Sequence, residues 1–331
     1  MKAAFIVDKS KIEFKEIETP SVDGNDVLVK VRAMGICGTD LHFLRGVRKV
    51  AFPHLSGHEA SGEVVATGPL VDAISVGDRV AIDPNIHCGQ CWYCRRGRFN
   101  LCQNKKVLGV SLPGCFSEYV KIKQDNVWKL PDSVTYWQGA LIEPLSVALH
   151  AFNTSNTKLG ENVALFGAGT IGLMLVQLLK KSGAHVTAID KIGSKLDKAL
   201  QLGADRVINL SKVSFQSVLD ENAIYNKVID AAGVAETLET SVELAGAGGE
   251  VIWLGLPSCD IQINPARFLY RELTLHSSLA YTHEFGDALQ LIGKGEIELE
   301  PLLTHQVPFS EISRAFELQS QGASIKSVLE D

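Results

Sequence analysis

Cys37-Gly38-Thr39-Asp40-Leu41-His42, followed after a short basic loop by Gly57-His58-Glu59, brings a thiol, an imidazole and a carboxylate close together in the chain. These are donor types that Zn²⁺ takes in a tetrahedral shell, and a zinc site that keeps one position open can bind water or substrate. The stretch by itself also admits a plainer reading, a buried structural cysteine beside an unrelated His-Glu pair. A second cluster, Cys88-Gly89-Gln90-Cys91-Trp92-Tyr93-Cys94 and then Cys102, has the spacing C-x2-C-x2-C-x7-C. Four thiolates turned to one centre complete a zinc shell, and a complete shell is structural because no position is left for substrate. An iron–sulfur cluster is the rival occupant, but the Cys-Pro ending and longer spacings of common ferredoxin runs are missing. Arg95, Arg96 and Arg98 beside the cluster either offset thiolate charge or form a solvated face.

A third stretch, Val163-Ala164-Leu165-Phe166-Gly167-Ala168-Gly169-Thr170-Ile171-Gly172-Leu173, reads as a strand, a G-x-G-x-x-G turn and a helix start. Gly167 permits the tight turn, Gly169 lets backbone approach a pyrophosphate, and Gly172 lets the helix opened by Thr170 and Ile171 pack on the strand. The helix then offers its positive end to the phosphates. Asp190 closes the next strand, about 20 residues on, where a carboxylate grips the ribose hydroxyls and repels a 2′-phosphate. That favours NAD over NADP, although Lys191 and Lys195 lie near enough to weaken the preference.

These residues need two kinds of scaffold. Up to about residue 150 the segments are short, β-branched and punctuated by glycine, at 27–31, 62–66, 76–82 and 118–120, which predicts a barrel-like, mostly antiparallel domain. From about residue 160 strands alternate with helices. Strands are expected at 162–166, 185–189, 206–208, 227–229, 250–254 and 273–277, enough for a doubly wound parallel sheet. Helices follow at 285–292 and 311–319, in a tail expected to rejoin the first domain.

A chain of 331 residues with 46% hydrophobic composition fits two domains. A net charge of −6 argues against a nucleic-acid partner. No apolar run is long enough to span a bilayer, and the opening Met1-Lys2-Ala3-Ala4-Phe5-Ile6-Val7-Asp8 reads as a strand that meets a charge too soon for a signal peptide. A cytoplasmic location is the expectation, and there seven cysteines point to metal rather than disulfides.

In this order the motifs resemble the zinc-dependent medium-chain alcohol dehydrogenase family, nearly end to end. Gly57-His58-Glu59-Ala60-Ser61-Gly62-Glu63-Val64, Val76-Gly77-Asp78-Arg79-Val80, the cysteine lobe, Gly114-Cys115-Phe116-Ser117-Glu118-Tyr119, Glu143-Pro144-Leu145-Ser146-Val147-Ala148 and the glycine turn all carry the likeness. Glu143-Pro144 resembles the polyol and threonine dehydrogenase branch, the 37–42 stretch is similar to threonine dehydrogenase, and Ala280-Tyr281 with Glu284-Phe285 looks more like butanediol dehydrogenase.

The resemblance implies an α/β fold: a GroES-like, mostly antiparallel catalytic domain over 1–149, with a structural zinc lobe at 88–102 and completed by 282–331, and a Rossmann NAD-binding domain over 150–281. It implies Cys37, His58 and Glu59 or Glu143 at a catalytic zinc, the two glutamates exchanging with water. Cys88, Cys91, Cys94 and Cys102 would hold a second zinc. By the same resemblance Thr39 and His42 would form a proton relay, Asp40 would back His58, and Gly167, Gly169, Thr170, Ile171, Gly172, Asp190 and Lys195 would hold NAD. The expected assembly is a homodimer or homotetramer. Cys115 departs from the family's usual Gly or Ala, and with Cys259 it reads as ordinary burial. His54, His150 and His276 read as packing or surface residues.

The implied reaction is reversible oxidation of a secondary alcohol, a polyol, vicinal diol or hydroxy amino acid, with hydride passing to NAD. A threonine 3-dehydrogenase is the alternative within the branch, and a catalytically silent NAD(H)-binding sensor the alternative outside it. The loop Arg45-Gly46-Val47-Arg48-Lys49 either meets a carboxylate or phosphate or is a solvated basic loop.

Overall fold

The computed structural model of the protein describes every residue except Asn222 and Ser258. Its chain divides into two compact units, Met1–Ser146 with Thr282–Asp331, and Val147–Tyr281. A hairpin of β1 (Lys2–Asp8) and β2 (Lys11–Glu16) comes first. The first unit is then organised on β3 (Asp26–Gly35), whose β-branched run is buried along most of its length. The chain continues through α1 (Gly38–Leu44), β4 (Glu59–Thr67), β5 (Arg79–Ile82), the small pair β6 (Asn85–Ile86) and β7 (Lys106–Val107), β8 (Tyr119–Lys123), β9 (Val127–Lys129) and α2 (Tyr136–Ala140). Thr135 and Gln138 start α2 with a reciprocal capping box, Thr135 accepting from the Gln138 N–H at 3.4 Å. Helix α3 (Ile142–Ser155) carries the chain into the second unit.

There β10 (Asn162–Phe166), α4 (Thr170–Lys181), β11 (His185–Asp190), α5 (Gly193–Gln201), β12 (Arg206–Asn209), α6 (Phe215–Asp220), β13 (Tyr225–Asp230), α7 (Ala235–Leu244), β14 (Ala245–Trp253), α8 (Pro265–Arg271) and β15 (Thr274–Ser277) follow. The six strands are parallel in the order β12-β11-β10-β13-β14-β15. That is the doubly wound order, with its switch point between β10 and β13, where ligands bind beyond the carboxyl ends of the strands. Ala164, Phe166, Ile189, Val228 and Val251 fill its core. The tail, α9 (Glu284–Gly293), β16 (Leu303–Pro308), α10 (Ile312–Ser320) and β17 (Lys326–Glu330), packs with the first unit.

The first unit's sheet runs β16-β17-β3-β4-β5-β9, with β8 also on β3. One half of β3 pairs β8 (Lys30↔Tyr119) and the other pairs β17 (Gly35↔Val328), while β4 lies along its other edge. Val29, Val31, Val64, Val80 and Phe116 face a common core, closed by Phe316 with its ring 5.7 Å from Phe116.

Two sequence expectations shift. Residues 76–78 turn rather than extend: Asp78 Oδ2 accepts from the Ser75 N–H at 2.7 Å, and Val76 is exposed, so β5 starts at Arg79. Strand β14 begins at Ala245 and ends at Trp253, one residue short, because the Leu254 N–H turns to the Asp230 carbonyl at 3.1 Å. Among the described residues no helix is long and apolar enough to cross a membrane.

Candidate metal centres and dinucleotide turn

Cys37 sits in the cap position that opens α1, and Asp40 three residues on returns its Oδ2 to the Cys37 N–H at 2.9 Å. The other oxygen of Asp40 accepts from the Ser56 hydroxyl and from the Gly57 N–H at 3.2 Å. This fully buried carboxylate therefore ties the loop bearing Cys37 to the loop bearing His58. Its own approach to His58 Nδ1 is 3.7 Å, beyond hydrogen-bond length, so Asp40 backs the imidazole through charge. Glu59 opens β4 opposite Gly35.

The result is a group, half-buried at Cys37 and buried at His58 and Glu59, in which one donor atom from each lies within 4.8 Å of the others. His58 Nδ1, the ring nitrogen turned toward Asp40, has no hydrogen-bond partner. Burial by itself would depress the His58 imidazolium, but Asp40, Cys37 and Glu143 outweigh it and raise the group well above the usual histidine range.

Glu143, the second residue of α3, is buried and lies outside the 4.8 Å group. Burial pushes its carboxyl up to about 7, with Glu59 and Asp83 adding to the rise and His58 and Lys326 opposing it. It shares the electrostatic environment of the three donors without joining their cluster. Thr39 and His42 stand three apart on α1, a spacing that puts them on one face. Burial, then Arg45 and Arg48, lower the His42 imidazolium. Arg48 stands over the Phe43 ring at 5.7 Å, which gives part of the basic loop a packing role. Cys115 is fully buried and its thiol is pushed up to about 12 by burial, so it is inert, whereas Cys259 is exposed and departs from the expected burial. His54 bonds the Gly109 carbonyl at 2.9 Å, and His276 meets Glu250 at 3.0 Å.

Cys88, Cys91, Cys94 and Cys102 also lie within 4.8 Å of one another. Cys94 opens a short 3-10 turn, Cys94–Arg96, and Cys102 follows another, Phe99–Leu101. The Cys88 and Cys102 sulfurs are 3.5 Å apart, close to the ~3.8 Å edge of a tetrahedron with ~2.3 Å zinc–sulfur bonds. Backbone N–H groups of Cys94 and Gln103 bring the Cys91 thiol down to about 6, whereas burial and its sulfur neighbours push Cys94 up to about 12. Arg96 stacks on Trp92 at 3.9 Å and so serves the lobe's packing.

In the second unit Gly167 (φ +92°) makes the turn after β10, and Gly169 caps α4. A β-carbon on Gly172 would lie 1.8 Å from the Gly167 carbonyl oxygen, whereas one on Gly169 would meet nothing within 4 Å. The strand and helix thus close on each other at one glycine and leave open space at the other. Asp190 ends β11 and accepts from the Ala168 N–H at 2.7 Å and the Ile192 N–H at 2.9 Å, which fastens it to the glycine turn itself. A cavity of about 740 Å³ is lined by Gly167, Gly169, Asp190, Lys195, Ala231 and Thr237, among others. Burial lowers the Lys195 ammonium, partly restored by Asp190. Thr170 and the half-buried Ile171 begin α4 beside the turn.

Sequence reading missed Ser56 and Lys326. A serine before a glycine carries no signal. Lys326 had one: it sits between Ile325 and Ser327 at the head of an apolar strand, where a lysine is out of place unless paired.

Residues 23–132 match the family described as the alcohol dehydrogenase GroES-like domain, and 170–294 match the zinc-binding dehydrogenase family. The chain is 33% identical over 330 residues to sorbitol dehydrogenase of Bacillus subtilis (strain 168), covering 96% of this chain and 93% of that one. In structure it is similar to RspB from Escherichia coli CFT073, described as a short chain alcohol dehydrogenase and complexed with NADH (TM-score 0.94, 33% identity, 100% and 99% of the two chains). It is equally similar to a protein from Sinorhizobium meliloti 1021, provisionally described as a zinc-binding dehydrogenase and bound to NADP (TM-score 0.93, 33% identity, 100% and 99%).

Proposed function

Since this chain belongs to the zinc-dependent medium-chain alcohol dehydrogenase family, we propose that it oxidises a secondary alcohol, a polyol, vicinal diol or hydroxy amino acid, with hydride passing to NAD. The observation that carries this reading is the convergence of Cys37, His58 and Glu59 at one point. Those three side chains would hold a catalytic zinc, with Glu143 close by as a second carboxylate, and Cys88, Cys91, Cys94 and Cys102 a structural one. Zinc held by the first set would supply Lewis acidity and lower the pKa of a substrate hydroxyl.

The chain's own residues do the rest. Asp40 holds the Cys37 and His58 loops in register. Thr39 accepts the hydroxyl proton and His42, on the same helix face, passes it toward solvent; its lowered pKa leaves the imidazole neutral and able to accept. Gly169 and the start of α4 receive the pyrophosphate, while Asp190 and Lys195 receive the adenosine ribose. In this reading residues 1–149 with 282–331 form the catalytic domain and 150–281 the NAD-binding domain, close to the observed division after Ser146. The protein is a cytoplasmic homodimer or homotetramer: β15 is an edge strand of its sheet, and Leu269, Tyr270, Leu275 and Leu279 near it are exposed.

Nicotinamide absorbance, followed while polyols, vicinal diols and L-threonine are offered with NAD, tests the reading. We expect turnover with at least one class, lost on chelation and in Glu143→Ala, with NADH affinity unchanged in that variant. Tight NADH binding without turnover of any substrate would overturn it. The likeness of the 37–42 stretch to threonine dehydrogenase makes L-threonine the sharpest single substrate to offer.

A further inference from the structure

Ser56 lies in the loop before β4, is fully buried, and donates its hydroxyl to Asp40 Oδ1. The same oxygen accepts from the Gly57 N–H at 3.2 Å, while Oδ2 accepts from the Cys37 N–H at 2.9 Å. Backbone contacts on the far side hold the serine to this position. Its carbonyl accepts from the Phe116 N–H at 3.1 Å, and the Gly57 carbonyl accepts from the Cys115 N–H at 2.9 Å. A β-carbon on Gly114 would lie 2.2 Å from the Ser56 carbonyl oxygen, so the two loops close on each other at a glycine.

An ionised carboxylate offers about four lone-pair sites, two on each oxygen. Ser56 and Gly57 together occupy both sites of Asp40 Oδ1. His58 Nδ1 stands 3.7 Å from that oxygen and has no hydrogen-bond partner. An approach of about 0.8 Å would bring it to the ~2.9 Å of an ordinary N–H···O bond, but the oxygen it faces has no site left to offer. His58 bonds Cys37 instead, a contact that falls to Nε2 because Nδ1 makes none. Packing alone would be served by alanine at position 56. The reason for a hydroxyl there is what it takes from Asp40.

On the reading that Cys37, His58 and Glu59 hold zinc, an imidazole whose other N–H is bonded to a carboxylate is a more basic and tighter ligand. A metal that receives more charge from its ligands polarises a substrate hydroxyl less. We propose that Ser56 is a positioning residue: its hydroxyl occupies the Asp40 site that faces His58, which keeps the imidazole a weaker ligand and the metal a stronger Lewis acid. The inference rests on the zinc reading of that group. Without the hydroxyl, Asp40 Oδ1 regains a lone pair, and His58 Nδ1–H closes on it.

Zinc release to a chromophoric chelator tests this in the full chain, with Cys37→Ser used to identify which release phase belongs to this group rather than to the four-cysteine lobe. Outer partners of ligating histidines change metal affinity by about 10–100-fold. Ser56→Ala should therefore slow that phase by about tenfold or more, and it should lower kcat while leaving KM for NAD within about twofold of wild type. A hydroxyl that merely held the loop together would give the opposite sign, since its loss would loosen the donors and speed release. Ser56→Cys, close to serine in size and a weak donor, should also slow release, though by less. Unaltered or faster release in Ser56→Ala overturns the proposal. If Ser56→Ala does not fold, Ser56→Cys decides on the same sign, and failure of both to fold overturns the proposal, because the hydroxyl would then serve the fold. Wild-type protein that binds zinc only in the lobe would instead defeat the reading of the site itself.

Discussion

Gly169→Ala and Gly172→Ala lie three residues apart on one turn and should fail in opposite ways. At Gly172 the new β-carbon would stand 1.8 Å from the Gly167 carbonyl oxygen and 2.9 Å from its carbon. Both are backbone atoms with no rotamer to escape into. Ordinary contact begins near 3.4 Å, so the first turn of α4 must retreat by about 1.6 Å from a strand end in a close-packed core. Overpacking of this kind costs about 1–3 kcal/mol, which for a unit of this size lowers Tm by roughly 4–12 °C. At Gly169 the added carbon meets nothing within 4 Å, and its φ of −80° suits any L residue. Apo Gly169→Ala should therefore melt within about 2 °C of wild type. The same carbon fills the space through which backbone reaches a pyrophosphate, and NADH affinity should fall by about tenfold or more, a loss of at least ~1.4 kcal/mol. Scanning calorimetry of the apo protein and an NADH fluorescence titration separate the two. Wild-type NADH affinity in Gly169→Ala would refute the placement of the phosphates, and a wild-type Tm in Gly172→Ala would refute the close approach.

Asp190→Ala should raise KM for NAD and relax discrimination against NADP, read from kcat/KM with each dinucleotide. A wild-type protein that already prefers NADP would refute the assignment. Cys94→Ser should lower thermal stability while any folded remainder keeps the zinc of the Cys37 group; metal analysis finding iron, or no metal, with all four lobe thiols intact would count against the lobe reading. Lys227 is buried against Glu250 on neighbouring strands, and Lys227→Met should cost about 1–3 kcal/mol. Burial pushes the Glu250 carboxyl up, but the Lys227 bond and then His276 outweigh it and hold it below the ordinary glutamate range. An acid depressed in this way stabilises the fold above its unfolded pKa, and that contribution is lost as pH falls through the folded value. Urea midpoints from about pH 6 down to about pH 3 should therefore converge for wild type and variant as acid removes the pair, and a constant gap would refute this.

Features set by short-range spacing were legible in the sequence. Four cysteines within 88–102 share one small lobe because the intervening turns leave their sulfurs little else to face. The glycine turn and Asp190 are joined by a single strand-helix-strand unit, so their proximity follows from parallel pairing of β10 with β11. Alternating strands and helices likewise announced a parallel sheet, and the structure has one. Strand ends such as 76–78 were not legible, since a β-branched residue in an exposed turn looks like one in a strand.

Of the two glutamates the sequence left open, the structure puts Glu59 in the donor cluster and Glu143 just outside it. That distinction depends on the exact place where α3 starts against the sheet. Tertiary structure alone paired Lys326 with Glu59 and set its ammonium on a carbonyl 290 residues away in the chain. Local propensity acts over a few residues, whereas the neighbours of a buried charge are chosen by strand register, and register is settled only when the whole sheet has formed.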